Sequence, residues 1–212
     1  MDAATPAAQR SDAINRARAL DREGGAAHKR PRQPLPRKRF MHQLILMRHA
    51  KAERARDDQA DHDRALSPAG REAARRMRNR LRGLAIEPDV VLVSSARRTR
   101  ETLEGVAFWE DRTPNIEVME TLYMAPAARL LEILRELRET MLSVMLVGHN
   151  PGLHELALML ASGAQARDAA HARLEEGFPT MRAAEFLVLT PWRDLRPAGA
   201  RLQRVIDPPP PG

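Results

Sequence analysis

The sequence predicts an α/β protein, a three-layer α/β/α arrangement around a central, mostly parallel sheet. Three observations lead there. Short, continuous apolar runs recur at residues 43–47 (QLILM), 89–95 (DVVLVSS) and 143–149 (SVMLVGH). Such runs suit strands covered on both faces, which half-exposed antiparallel strands, with their alternating pattern, do not show. The stretches between them carry helical periodicity and are long enough for crossover connections between parallel strands.

The elements follow in order. Residues 43–47 form the first strand. The polar loop DHDRALSPAG follows, and Ser67-Pro68 reads as N-cap and first helical residue of a helix to about Arg82. Ala73, Met77, Leu81 and Leu84 supply its apolar stripe, and Gly83 is its candidate terminator. The second strand, 89–95, leads into a helix from about Arg97 to Trp109, whose inward face is Thr99, Leu103, Val106 and Phe108 or Trp109. NIEVME (115–120) is a third, weaker strand. Residues 126–139 form an amphipathic helix opened by Pro126, with Leu130, Leu131, Leu134 and Leu137 on one side. SVMLVGH is the fourth strand, and residues 151–162 form a helix entered through Asn150-Pro151. Residues 163–180 give no clear pattern. Strands are expected at 183–189 and 200–206, and no repeat of fixed period is present.

The chain has 212 residues, which suits one domain with a tail. Its net charge of +7 is concentrated at one end. Residues 1–40 hold 10 Lys and Arg against 4 Asp and Glu, whereas 41–212 hold 25 against 24. The expected organisation is therefore a basic, disordered extension over 1–40, a folded domain over 41–207 and a Pro-rich tail over 208–212. A nearly neutral body argues against nucleic acid as its partner. Met41, directly before the first strand, is a candidate start of translation. Asp2, Asp12, Asp21 and Glu23 argue against an organelle transit peptide. No apolar run approaches the roughly 18 residues of a membrane span. The absence of cysteine excludes disulfides and thiolate metal sites and fits a reducing compartment, so a cytoplasmic location is expected. Oligomeric state is not legible.

In open α/β sheets functional residues gather beyond the carboxyl ends of the strands. The first strand ends in Arg48-His49, the second in SSARRTRET with Arg97, Arg98 and Arg100, and the fourth in Gly148-His149. Arginine offers a planar fork of donors that matches phosphate oxygens. A neutral histidine is a nucleophile, and a second, if protonated, stabilises charge on a transferring phosphoryl group. Nearby guanidiniums oppose protonation of the attacking imidazole and keep its lone pair available. Two histidines and at least one further arginine at adjacent strand ends would form a phosphate pocket with its own nucleophile.

LILMRHA, VLVSSARRTRET and MLVGHNPG together resemble the histidine phosphatase superfamily, and RALSPAGREAA, LYMAPAARLLEIL and GHNPGLHEL resemble its SixA-type phosphohistidine phosphatase branch. The resemblance covers about residues 42–190. It implies a phosphoglycerate mutase-like fold, no metal or organic cofactor, and a phosphorylated protein, such as a phosphohistidine on a signalling or sugar-transport carrier domain, or a small phosphoester as substrate. It further implies that His49 takes the phosphoryl group, that Arg48 and Arg98 bind it, that His149 is the second catalytic histidine, and that the Asn150 amide faces the phosphate. Arg98 is singled out because Ser94 and Thr102 frame it in the family pattern. Glu120 occupies the region where larger members carry a leaving-group acid, but its surroundings differ from their motif, and a solvated carboxylate at the strand end is the better reading.

Three other readings fit the residues less well. A metal site from the 58–63 acidic run with His49, His149 and His154 is disfavoured, because His149 and His154 do not share a helix face and Arg56 and Arg64 flank the acids. The run 61–63 reads instead as a polar loop over the pocket, with an Asp63–Arg64 pair. A non-catalytic phosphate-binding module with a basic tail has no need of the nucleophile. A mutase needs substrate-binding insertions, and the segments here are short. His42 and His171 are expected at the surface, and His154 is either a pocket residue or a structural histidine.

Overall fold

The computed structural model describes residues 41–109, 113–164 and 167–211. The expected extension over 1–40 lies outside the described residues. The described chain runs β1 (His42–Arg48), α1 (Pro68–Gly83), β2 (Val90–Ser94), α2 (Arg97–Val106), β3 (Asn115–Met119), α3 (Ala127–Arg135), β4 (Ser143–Gly148), α4 (Gly152–Ala161), α5 (Ala169–Glu175), β5 (Ala183–Val188) and β6 (Ala200–Ile206).

The six strands lie in the order β3-β2-β4-β1-β5-β6. The first four are parallel to their neighbours, while β5 is antiparallel to β1 and β6 antiparallel to β5. The sheet is thus mostly parallel, with an antiparallel flank. The reason is local: the short link from β5 to β6 holds one 3-10 turn, Trp192–Asp194, and no crossover helix, so β6 returns alongside β5 in the opposite direction.

Two cores flank the sheet. Leu44, Leu46, Leu92 and Leu146 face one layer, packed by α3, α4 and α5. Ile45, Met47, Val91, Val93, Met145 and Val147 face the other, packed by α1 and α2. The strands read as unbroken apolar runs because both of their faces are covered. β3 reads weakly because it is an edge strand, with Ile116 and Val118 exposed. No helix among the described residues is long and apolar enough to cross a membrane.

Local signals hold where they were strongest. The Ser67 hydroxyl caps α1, accepting from the Gly70 amide at 3.1 Å with Pro68 in the first turn. The buried stripe of α1 is Gly70, Ala74, Met77 and Leu81, so Ala74 takes the place expected for Ala73. Both alanines fit a helical period, and the direction from which α2 packs decides between them. A helix also lies in the unassigned stretch, where Asp168 caps α5 by accepting from the Ala170 and His171 amides. His42 and His171 are buried, not at the surface. His42 packs on Trp192, with ring centroids 4.8 Å apart, and its Nε2 lies 3.5 Å from the Glu139 carboxylate. His171 bonds Asp168 through Nδ1 at 2.7 Å. Beyond β6 the Pro-rich end has no regular structure, and the Pro209 carbonyl accepts from Arg76 at 2.8 Å.

Gly152 brings α4 against the segment before α3. A Cβ there would stand 2.0 Å from the Ala125 carbonyl oxygen, backbone that cannot swing aside. Gly152→Ala is therefore expected to cost about 1–3 kcal/mol and to lower the melting temperature by several degrees. An unchanged melting curve would contradict this packing.

Candidate active site

Sheet register creates the site. β1 and β4 are parallel neighbours with Arg48 opposite Gly148, so the residues that follow, His49 and His149, leave the sheet side by side. The His49 amide bonds the Gly148 carbonyl at 3.1 Å, and the two imidazole centroids are 5.1 Å apart. β2, on the other side of β4, delivers Ser94, Ser95 and the start of α2 to the same edge. The Ala50 amide donates to the Thr102 hydroxyl at 2.9 Å, which ties the loop after β1 to α2 and holds the Arg98 turn beside it.

The two imidazoles have distinct hydrogen-bond patterns. His49 Nδ1 lies 2.7 Å from the Ala50 carbonyl oxygen. A carbonyl only accepts, so Nδ1 carries the proton and Nε2 presents a lone pair. His149 Nε2 lies 2.8 Å from the Ser94 hydroxyl, which itself accepts from the Ala96 amide at 3.4 Å. Among the described residues Nε2 is the one acceptor in reach of the buried Ser94 hydroxyl, so the Ser94 proton points to Nε2 and the ring proton sits on Nδ1, which has no protein partner among those residues. One ring thus presents a lone pair and the other an N–H.

Electrostatics agree. Burial pushes His49 down to about 4, with Arg98, Arg48 and Arg64 adding repulsion while the Ala50 bond opposes it. Burial also pushes His149 down to about 3, assisted by His49 and Arg98. His149 is therefore neutral in the empty site at neutral pH, so its donor is a neutral N–H and not the imidazolium considered from the sequence. Both imidazoles are expected to titrate far below the ordinary 6.5, near pH 4 and pH 3, in nitrogen-detected NMR. Because the unfolded chain binds these protons first, stability falls as pH drops through the interval from 6.5 toward 4. Midpoints near 6.5 would refute the assignment.

The guanidiniums are held differently. Burial lowers the Arg48 pKa; its Nη1 donates to the Phe178 carbonyl at 2.9 Å, and its buried Nε has no protein partner among the described residues. Arg98 is buried, and one edge of its fork grips Asp61, Nη1 to the backbone oxygen at 2.6 Å and Nη2 to Oδ2 at 2.9 Å. Asp61 also accepts from Arg64 at 2.7 Å and from the Tyr123 hydroxyl at 2.8 Å. The Arg64 bond, with Tyr123 and Arg98, holds its carboxyl well below the usual carboxylate range. Tyr123 packs edge-on against His149 at 5.4 Å and lies 5.8 Å from the Arg98 guanidinium carbon.

Four residues singled out in the sequence, Arg48, His49, Arg98 and His149, thus meet at one sheet edge. Asn150 lies beside them, but its side-chain amide donates to the Phe178 carbonyl at 2.9 Å. Glu120 lies on the rim with its side chain 74% exposed, bonded by the Ser95 hydroxyl. His154 is a structural residue, bonded to the Leu174 carbonyl at 2.8 Å and stacked on Phe178. The expected Asp63–Arg64 pair is replaced by Asp61–Arg64, because the 3-10 turn Asp61–Asp63 turns Asp61 inward. Sequence reasoning placed Asp61 in a polar loop over the pocket but missed its bonds to Arg98 and Arg64, and it missed Tyr123 altogether; the cue for Asp61 was an acidic residue in a loop bordered by arginines. Among the described residues no group of three or more His, Asp or Glu side chains is placed to hold a metal.

A six-stranded, mostly parallel sheet thus carries two imidazoles and two guanidiniums at its carboxyl edge, an α/β protein with a site suited to an anion. The sequence model of the histidine phosphatase superfamily (branch 1) matches residues 44–123. An uncharacterised protein of Mycobacterium tuberculosis is 34% identical over 156 residues, covering 74% of this chain and 96% of that protein. Among solved structures, a candidate phosphohistidine phosphatase SixA of Nakamurella multipartitia superposes with a TM-score of 0.69 at 31% identity, covering 79% of this chain and 96% of that one. The protein histidine phosphatase SixA complexed with tungstate superposes with a TM-score of 0.62 at 26% identity, covering 78% and 97%. The chain belongs to the histidine phosphatase superfamily and is a phosphatase.

Proposed function

We propose that the chain is a metal-independent phosphohistidine phosphatase, acting on phosphohistidine in a protein through a phosphorylated His49. The observation that carries this reading is the pair of oppositely set imidazoles, His49 with a bare Nε2 and His149 with a free Nδ1–H, between two guanidiniums. The oxyanion tungstate bound by a structural relative supports it.

In the first transfer His49 Nε2 attacks phosphorus, and the bond from phosphorus to the leaving nitrogen breaks. Arg48, Arg98 and the His149 Nδ1–H share the charge on the equatorial oxygens. An anion among these groups favours their protonated forms, so His149 strengthens as a donor when substrate binds. Water then attacks phosphorus, the bond from phosphorus to His49 Nε2 breaks with its electron pair returning to the ring, and the water releases one proton to solvent as phosphate leaves. An imidazole leaving group needs less proton assistance than an alkoxide, which fits the exposed, rim position of Glu120. The fold is carried by residues 41–207, and the Asn150 amide adds a backbone donor.

The test compares a phosphohistidine-bearing carrier protein with small phosphate esters, in chelator. The reading expects kcat/KM for the protein to exceed that for the esters by at least about tenfold, since contacts beyond the phosphoryl group add binding energy in the transition state. Equal or greater turnover of small esters would instead make the chain a small-molecule phosphomonoesterase.

A further inference from the structure

Behind the phosphate site, residues 177–182 lead from the end of α5 to the start of β5 and hold Arg48 at three points. The Arg48 amide donates to the Arg182 carbonyl at 3.0 Å, and the Arg48 carbonyl accepts from the Met181 amide at 3.3 Å. The Arg48 guanidinium donates through Nη1 to the Phe178 carbonyl at 2.9 Å, and the Asn150 side chain donates to the same oxygen at 2.9 Å. The Met181 amide also reaches the His49 carbonyl at 3.2 Å. Arg98 is thus aimed by a carboxylate, Asp61, whereas Arg48 is aimed by a backbone carbonyl. Its direction is only as fixed as the segment that carries that carbonyl. The chain passes through positive φ at Gly177 (136°) and Met181 (67°), so the segment continues neither α5 nor β5 and takes its rigidity from side chains.

Two features supply that rigidity. The Phe178 ring is buried and stacked on His154. The second is an ion pair set by strand register: Ala183 pairs with Ile206, so Arg182 and Asp207 face each other where β5 begins and β6 ends. Arg182 Nε and Nη2 donate to the two Asp207 carboxylate oxygens at 2.8 Å each. Its Nη1 donates to the carbonyls of Arg173 and Gly177, again at 2.8 Å each. One guanidinium therefore joins the last turn of α5, the entry to the segment and the end of β6, while the Arg182 carbonyl holds Arg48 at the exit. Arg173 Nη2 grips Asp207 as well. The Arg182 side chain is 11% exposed, so the pair is only weakly screened, and its two parallel bonds fix orientation as well as distance.

We propose that Arg182 and Asp207 are positioning residues for phosphoryl transfer: their bidentate pair fixes residues 177–182 so that the Phe178 carbonyl aims the Arg48 guanidinium at the phosphate. This rests on the reading of Arg48 as a phosphate-binding residue. Both side chains act through the backbone of the segment and not through contact with substrate. Arg48 keeps a buried Nε without a protein partner among the described residues, and that donor turns with the rest of the fork. A donor stabilises a transition-state anion only while it lies on the right line, and a displacement of about 1 Å can cost as much as about 10²-fold in rate. Loss of the pair removes no bond to substrate. It frees the segment to shift, and the direction of Arg48 shifts with it. An ion pair that did no more than join α5 to β6 would affect melting and leave the aim of Arg48 untouched.

The experiment is a double-mutant cycle in the full chain between Asp207→Asn and Arg48→Ala, read as kcat/KM for nitrophenyl phosphate and, for Asp207→Asn, as vanadate affinity by calorimetry. Asparagine keeps the shape of the carboxylate but turns a donor toward Arg182. With Arg48 present, Asp207→Asn is expected to lower kcat/KM and vanadate affinity by about tenfold each. With alanine in place of Arg48 there is no guanidinium left to aim, and the same change is expected to cost less than about twofold. An equal loss in both backgrounds would overturn the inference, as would native kcat/KM and vanadate affinity in Asp207→Asn. Arg182→Lys is the second variant, since an ammonium keeps the charge but cannot hold both carboxylate oxygens and both carbonyls. It should repeat the tenfold loss, and native activity there would also overturn the inference. All assays run below the melting temperature of each variant, so a folding defect is not counted as lost aim. An Arg48→Ala chain with native kcat/KM would refute the reading of Arg48 itself, and failure of the proposed function would show separately, as absence of phosphorylated His49 with every substrate.

Discussion

Replacing His49 by alanine is expected to abolish turnover, by at least about 10⁴-fold, and to eliminate any acid-labile phosphoryl label on the protein. The size follows from what the ring supplies. Its Nε2 is the only lone pair in the cluster prepared for attack, since Nδ1 is spent on the Ala50 carbonyl and the neighbouring guanidiniums have none. The change leaves Arg48, Arg98 and the His149 donor in place, so phosphate and vanadate are still expected to bind. A variant that binds the oxyanion without turning over separates the nucleophile from the anion cradle. Retained turnover would remove His49 from the chemistry, and a loss of oxyanion affinity as large as the loss of rate would make it a binding residue.

Arg98→Ala is expected to lower kcat/KM by about 10²–10³-fold, in the range found when one preorganised donor to a transition-state anion is removed. Arg98 is buried, and its fork is aimed by the two bonds it donates to Asp61. Arg98→Lys should recover little, because a single ammonium cannot hold Asp61 with one edge and an oxyanion with another. Asp61→Asn keeps the shape of that partner and removes its charge, so a smaller loss of about tenfold is expected. Steady-state kinetics with vanadate inhibition would check the series. An Arg98→Ala enzyme with native kcat/KM and native vanadate sensitivity would show that the anion binds elsewhere.

The parts that were legible in the sequence share a physical reason. β1, β2 and β4 are covered on both faces, so their composition alone marks them, and the residues that follow them can be named without knowing the sheet order. The edge strand β3 lacks that cover and reads weakly. The antiparallel flank was not legible, because a short link such as that between β5 and β6 declares its direction only once the sheet is assembled. His42 and His171 were misplaced for a related reason. One is buried by Trp192, about 150 residues away in sequence, and the other serves a helix cap whose helix was itself unassigned. At the site, Arg48, His49 and His149 follow from strand ends, and Arg98 from the resemblance to the family pattern in which Ser94 and Thr102 frame it. The inward turn of Asp61, the Tyr123 hydroxyl that meets it and the direction of the Ser94 and Ser95 hydroxyls depend on how a loop folds back over the sheet edge. No local pattern in the chain encodes that return.

The most direct test of the account is a crystal structure of the protein soaked with vanadate. Vanadium should bond His49 Nε2 axially, with its equatorial oxygens contacted by Arg48, Arg98 and His149 Nδ1 and with the Ser94 hydroxyl still on His149 Nε2. Vanadate bound away from His49, or held with His149 turned from it, would contradict the claim that these four side chains converge on one transferring phosphoryl group.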